Sequence, residues 1–126
     1  MRAKKTGERW DYILKADREL DKSEQTVFTL QSLSHEDYFT IQNLMYNDGG
    51  GSVAMATLLA GLVDWQNMRD EAGVLIPFKI KDERCDPAML DYIISQPGAV
   101  PELVIAIRER AKMDDGEQKN LSSEDA

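Results

Sequence analysis

His35 and Cys85 are the only histidine and the only cysteine of the chain, and nucleophilic catalysis would have to begin with them. A cysteine or serine nucleophile needs a base, and His35 is the one imidazole that can serve. His35 lies in the first turn of a predicted helix, where the helix dipole disfavours a protonated ring. Cys85 follows Arg84, which activates a thiol only slightly when no base accompanies it. We therefore predict no catalytic residue and no enzyme activity.

Two other segments have the composition of ligand sites but lack a necessary part. Gly49-Gly50-Gly51-Ser52 precedes a predicted helix, as phosphate loops do, yet it lacks the Gly-Lys-Ser/Thr ending that binds phosphate and metal. Asp82, Glu83 and Asp86 lack the alternating acids and central glycine of an EF-hand loop. A single cysteine also excludes a thiolate-rich metal site. We predict a flexible loop, a solvated charged turn, no metal and no cofactor.

The composition is that of one acidic globular domain. Of 126 residues, 42% are hydrophobic, and 23 acidic against 15 basic residues give a net charge of −8. This charge opposes binding to a phosphate backbone, so we expect no nucleic-acid partner. The longest mainly apolar stretch, Ser52 to Val63, is shorter than the roughly 20 residues of a membrane span. The basic N-terminus lacks the apolar run of a signal peptide, so we expect a protein of a reducing compartment without membrane contacts.

Charge divides the sequence into three parts. Residues 1–25 form a charged N-terminal segment with seven Lys or Arg and six Asp or Glu, anchored by a short turn or strand around Trp10, Ile13 and Leu14. Residues 26–112 are expected to form a single globular helical domain. Residues 113–126 contain five acids and one lysine, and we predict that they form a disordered acidic tail.

Helix signals in the first half of the chain predict two helices separated by glycines. Ser34 is a suitable N-cap because Glu36 and Asp37 follow it at the positive end of the dipole, and the apolar spacing predicts a helix from about His35 to Tyr46. Asp48-Gly49-Gly50-Gly51 is expected to end this helix and form the loop to the next one.

The longest predicted helix runs from about Val53 to Glu71, with Ser52 as its cap and Gly73 as the left-handed residue that closes it. Methionine adapts to varied surfaces and tryptophan often anchors an interface, although such a stripe is more often an ordinary core face and such a tryptophan is more often buried. We predict that the apolar stripe of this helix binds a partner; its residues are Met55, Leu58, Leu59, Leu62, Trp65 and Met68.

Two short strands and two more helices complete the predicted fold. Thr26–Leu30 and Val74–Ile80 are runs typical of strands, and Pro77 places the second at a sheet edge, so we expect the two to pair. Asp86-Pro87 begins a helix, and Pro101 begins another that runs to about Lys112. The predicted fold is a helix-dominated α+β domain, with three to four helices around a long central helix and a small two-stranded β element.

Several segments of the chain occur in the same order as in one family of proteins. They are Trp10 in a charged N-terminal stretch, Thr26–Leu30, Ser34–Asp37, Leu62–Asn67, Asp70, Gly73, Ile76–Phe78, Pro101–Leu103, Ala106-Ile107 and Glu117–Leu121. The block from Trp65 to Phe78 contributes most to this likeness. In these features the chain resembles the tail assembly chaperones of long-tailed bacteriophages and prophages.

The resemblance implies a role in tail morphogenesis without catalysis. Such chaperones bind the tape-measure protein and keep its helical apolar surfaces soluble until tail-tube subunits polymerise around it. We therefore expect a protein of the host-cell cytoplasm, absent from the mature virion, whose partners are the tape-measure and tail-tube proteins; self-association stays open. Two alternatives remain: a small acidic inhibitor that imitates nucleic acid, and a structural head–tail or tail component of the virion.

Overall fold

The computed structural model describes residues 8–47, 50–96 and 98–109 of the chain. These residues contain four α-helices, one short 3-10 helix and two small antiparallel sheets. The fold is α+β, but the predicted arrangement is wrong, because a three-stranded and a two-stranded sheet take the place of the single two-stranded element and the described residues contain no long central helix. In chain order the elements are β1 (Arg9–Tyr12), the 3-10 helix Lys15–Asp17, β2 (Val27–Gln31), α1 (His35–Asn47), α2 (Gly50–Gly61), β3 (Leu62–Gln66), β4 (Ile80–Lys81), β5 (Arg84–Cys85), α3 (Ala88–Ile94) and α4 (residues 99–109).

The larger sheet has the strand order β1-β2-β3, and its side chains alternate between a buried and a partly exposed face. Phe28 is paired with Tyr12 on one side and Trp65 on the other, so large apolar side chains meet on the buried face. On the opposite face, the Thr29 hydroxyl donates to Asp11 Oδ1 at 3.2 Å. The sheet therefore presents one apolar face to the core and one polar face to solvent.

The predicted long helix from Val53 to Glu71 is wrong. Helix α2 ends at Gly61, and the chain enters β3 at Leu62 without an intervening loop. The apolar spacing of Leu58, Leu62 and Trp65 suits a helix, but antiparallel pairing with β2 satisfies the backbone of residues 62–66 instead. No single central helix is present in the described part of the chain.

The start of α2 also differs from the prediction. The helix begins at Gly50, so Ser52 lies inside it and does not cap it, and the expected loop does not extend through Gly51. Residues 48 and 49, the first half of that expected loop, lie outside the described residues. Glycine is a weak helix former, but the continuous apolar run that follows stabilises the helix through packing.

The predicted pairing of Thr26–Leu30 with Val74–Ile80 is wrong as well. Strand β2 lies between β1 and β3, while Leu75 makes only an isolated bridge with Arg69. Ile80 belongs to the short hairpin of β4 and β5. Pro77 has no backbone N–H, which prevents a regular ladder in the middle of this segment.

Local signals at two helix starts are confirmed. Ser34 Oγ accepts a hydrogen bond from the Asp37 backbone N–H at 3.1 Å, as an N-cap does, and α1 begins at the next residue. Asp86 Oδ1 accepts from the Ala88 N–H at 3.0 Å, but α3 begins at Ala88 with Pro87 at its N-cap, so this helix starts one residue later than predicted. Helix α4 begins at residue 99, two residues before Pro101. Its predicted end near Lys112 and the predicted tail 113–126 lie outside the described residues.

Gly73 has the expected left-handed backbone, with φ of 81°, but it closes a turn and not a helix. The Asp70 carboxylate organises this turn by accepting hydrogen bonds from the Ala72 and Val74 N–H groups, both at 2.9 Å. The turn reverses the chain between Arg69 and Leu75.

The core lies between the apolar face of the larger sheet and helices α2, α3 and α4, with the following buried residues at its centre: Phe28, Leu30, Leu58, Leu62, Trp65, Met68, Cys85, Met89, Leu90, Ile93, Ala99, Leu103, Val104 and Ile107. Gly61 permits a close contact within it. A Cβ atom added at Gly61 would lie 2.6 Å from Cδ1 and 2.9 Å from Cγ2 of Ile107, which is fully buried. The end of α2 therefore packs against α4 only because residue 61 has no side chain.

Replacing Gly61 with alanine is expected to lower the free energy of unfolding by about 1–3 kcal/mol, because the core would be overpacked. The matched control is Gly51→Ala in the same helix, where an added Cβ meets nothing within 4 Å. That variant should gain up to about 1 kcal/mol from the better helix propensity of alanine. Urea denaturation of the two variants measures both values, and equal stabilities would contradict the close contact.

Candidate functional site

The six residues predicted to bind a partner lie in or against the core. Because the chain leaves its helical conformation after Gly61, they belong to α2, β3 and the segment that follows, and they do not form one exposed stripe. Leu58, Leu62, Trp65 and Met68 are buried, while Met55 and Leu59 are partly buried and pack against the same cluster. The four buried side chains have no surface through which to contact a partner in this conformation.

Trp65 joins several elements of the core. Its indole Nε1–H donates to the Ile76 carbonyl at 2.8 Å, which attaches the segment after β3 to the sheet. Its ring makes edge-to-face contacts with Phe28, Phe78 and Tyr92, with centroid distances of 6.5, 5.0 and 6.2 Å. These contacts account for Trp65 as a structural residue.

Trp65→Phe is expected to destabilise the fold by about 1–3 kcal/mol, because the Ile76 carbonyl loses its donor. Tyr46→Phe, at a residue 89% exposed, is the control and should leave stability unchanged. The midpoint of urea denaturation measures both effects. If Trp65→Phe kept full stability and lost only partner binding, the structural role would be wrong.

The exposed apolar surface with a regular arrangement lies on α1. Tyr38, Phe39, Met45 and Tyr46 are 47, 68, 46 and 89% exposed, and we call these four residues the α1 face. Tyr38 and Met45 are seven residues apart, as are Phe39 and Tyr46, so they form two adjacent rows on one side of the helix. Ile41, which borders the row of Tyr38 and Met45, is buried. Other exposed large apolar residues lie on separate elements: Leu20, Val74, Leu75, Ile80, Tyr92, Ile94 and Ile105.

Helix α1 stands apart from the main core. It contributes none of the described residues of the main core cluster, and its main packing partner is α2. An ion pair between Asp37 and Arg84, 2.8 Å apart, joins its first turn to β5. Arg108 Nη2 of α4 lies 3.5 Å from Met45 Sδ, near the other end of the helix. The helix is therefore attached on one side and open on the other.

The apolar spacing of α1 predicts a helix but does not show which of its residues form a surface. A signal for the surface was present: Tyr38, Phe39, Leu44, Met45 and Tyr46 occupy more of the helix circumference than one buried stripe needs. Such a surplus of apolar residues on a helix of a small domain indicates an exposed patch.

A cleft of about 280 Å³ lies between the β4–β5 hairpin and the junction of α2 with β3, and Arg9, Gln31 and Asp37 also line it. Its charged lining residues are of both signs: Arg9, Asp37, Asp82, Glu83 and Arg84. Asp82 and Glu83 have positive φ angles, 53° and 65°, at the hairpin turn, and both are exposed, so the predicted charged turn is confirmed. No group of three or more His, Cys, Asp or Glu in the described ranges is placed to hold a metal ion.

Cys85 lines this cleft but has little nucleophilic character. Its side chain is buried, and burial, followed by the nearby Asp86 carboxylate, raises the pKa of the thiol to about 11 from its ordinary value of 9.0. The thiolate is the reactive form, so the neutral thiol at physiological pH is inert. His35 lies exposed at the start of α1.

The raised pKa of Cys85 predicts a slow reaction of the native protein with a thiol reagent at pH 8 and a fast one after unfolding. It also predicts a pH dependence. Because the fold favours the neutral thiol, Cys85 makes a contribution to the free energy of unfolding that depends on pH. This contribution is complete below the pKa of the thiol in the unfolded chain, near 9.0, and is lost as pH rises toward about 11. The loss of stability between pH 8 and pH 11 should be smaller in Cys85→Ala than in the native chain. Rapid labelling of folded protein at pH 8 would contradict the assignment.

Comparison of the chain with family models, curated proteins and solved structures finds no match. Within the described ranges, no helix is long and apolar enough to cross a membrane.

Proposed function

We propose that this protein is a non-enzymatic tail assembly chaperone of a long-tailed phage or prophage. It binds the tape-measure protein and tail-tube subunits in the host-cell cytoplasm and is absent from the mature virion. The observation that carries the proposal is the α1 face, an exposed apolar helix surface outside the main core cluster.

A holder of helical proteins needs an apolar surface that accepts different sequences. Aromatic rings give large contact area at low entropic cost, and methionine adjusts to irregular neighbours. The α1 face combines three aromatic rings with Met45, and its residues are already exposed in the free protein. An amphipathic client helix can therefore pack along it without opening the fold.

The net charge of −8 supports the same role. A chaperone with a bound apolar client must remain dispersed, and a large net charge keeps such complexes apart. The α1 face itself has no charged side chain, which favours a protein client over imitation of a nucleic-acid backbone. An imitator would present its carboxylates on the exposed ordered surface.

The proposal predicts that co-expression with the tape-measure protein of the same genome makes that protein soluble and that a tagged copy retains it. Phe39→Ser/Tyr46→Ser should reduce the recovered tape-measure protein at least tenfold, because it removes the two most exposed rings of the α1 face. The control is Val74→Ser/Leu75→Ser, which alters two apolar residues of similar exposure on another surface. Both variants should unfold at the same urea concentration as the unmodified chain.

The chaperone proposal would be wrong if the co-expressed tape-measure protein stayed insoluble and the tagged chain retained none of it. Stoichiometric amounts of this chain in purified virions would instead indicate a structural tail or head–tail component.

A further inference from the structure

We infer that the α1 face binds the apolar stripe of a basic amphipathic helix from another protein. The inference deepens the proposed function, on which it rests for the use of this face, by stating the chemistry of the client helix. It also excludes a second copy of this chain as the main occupant.

The geometry of the α1 face suits a helix. Its two rows extend over seven residues, about 10 Å along the helix axis. Gln42, which is partly exposed, lies between the rows, so the face is an apolar strip with one hydrogen-bonding group near its centre. Two adjacent rows of side chains form the ridges and the intervening groove into which the side chains of a second helix pack.

The area of the face argues against a stable dimer. Aromatic side chains bury roughly 150–250 Å² each when fully covered, so four partly exposed side chains offer about 400–600 Å². Stable complexes bury about 800 Å² per partner. Two copies meeting through this face alone would fall short of that area, and each would have a net charge of −8, so they would also repel each other. A client helix covers the same small area, so its binding is transient and depends on attraction between opposite charges.

The charge distribution selects a basic partner. No lysine or arginine occurs from Ser23 to Met68, a stretch that contains α1, α2 and several acids. Two arginines from other elements approach α1, Arg84 in an ion pair with Asp37 and Arg108 beside Met45. Neither adds a positive charge to the centre of the face. A basic helix therefore meets a cation only beside Met45 at one end of the face and none at its centre, and the negative net charge attracts the helix from a distance.

The side chains of the face can also contact cations directly. Tyr38, Phe39 and Tyr46 expose ring surfaces that attract ammonium and guanidinium groups. The aliphatic stems of Lys and Arg cover apolar surface while their charged ends reach solvent. A partner helix with Leu on one stripe and Lys or Arg at the borders of that stripe can cover the apolar surface and also place its cations against the rings.

The test uses the full chain and three labelled synthetic peptides of about 18 residues, five helical turns. The first has a Leu stripe with Lys elsewhere, the second a Leu stripe with Glu elsewhere, and the third Gln in place of Leu with the same Lys. Fluorescence anisotropy should show binding of the Leu–Lys peptide, with each other peptide at least tenfold weaker. Phe39→Ser/Tyr46→Ser should weaken the Leu–Lys peptide at least tenfold, and Val74→Ser/Leu75→Ser should not.

Three outcomes would overturn the inference. The first is equal binding of the Leu–Lys and Leu–Glu peptides, and the second is unchanged binding to Phe39→Ser/Tyr46→Ser. The third is a dimer of the unmodified chain in sedimentation analysis that becomes monomeric in that variant, since a second copy would then occupy the face. If the peptide results hold while the tape-measure protein stays insoluble, the chaperone proposal fails and this inference stands.

Discussion

The indole of Trp65 connects the larger sheet to the segment after β3 and to α3. Its N–H donates to the Ile76 carbonyl, and its ring contacts Phe28, Phe78 and Tyr92 from three directions. The segment from Asn67 to Lys79 is mostly irregular, so side-chain contacts of this kind hold it in place. Met68 belongs to the same segment, and its buried side chain also attaches the segment to the core.

Helix α1 lies outside this core cluster. The sheet, α2, α3 and α4 supply the described residues of the main cluster, and α1 is attached mainly by packing on α2 and by the Asp37–Arg84 ion pair. An exposed ion pair adds little stability, so packing around the buried Ile41 must hold the helix. Elements with few buried contacts open at lower free energy than the core. The binding surface proposed for α1 would therefore adjust to a client while the remaining fold is unchanged.

The features that the sequence predicts correctly are those whose determining contacts are local. The Ser34 cap and the Asp86 hydrogen bond depend on residues within one helical turn, and both helix starts were predicted to within one residue. The strand at Leu62–Gln66 was missed because the spacing of Leu58, Leu62 and Trp65 fits a helix as well as a buried strand. Pairing with β2, more than thirty residues earlier in the chain, decides between them. Gly61, a weak helix former, was the one local sign of the change.

The exposure of an apolar residue is likewise decided by the tertiary fold and not by local sequence. Hydrophobicity alone made Leu62 and Trp65 as suitable for an interface as Phe39 and Tyr46, and only the tertiary fold buries the first pair and exposes the second. The cleft beside Cys85 differs from the α1 face in its electrostatics. In the cleft, Asp37 is already paired with Arg84, and the remaining charges are of both signs, so they offer a partner little net attraction. On the α1 face, apolar area remains exposed to water. Association gains most free energy where such area is covered, which favours α1 over the cleft as the proposed site of protein binding.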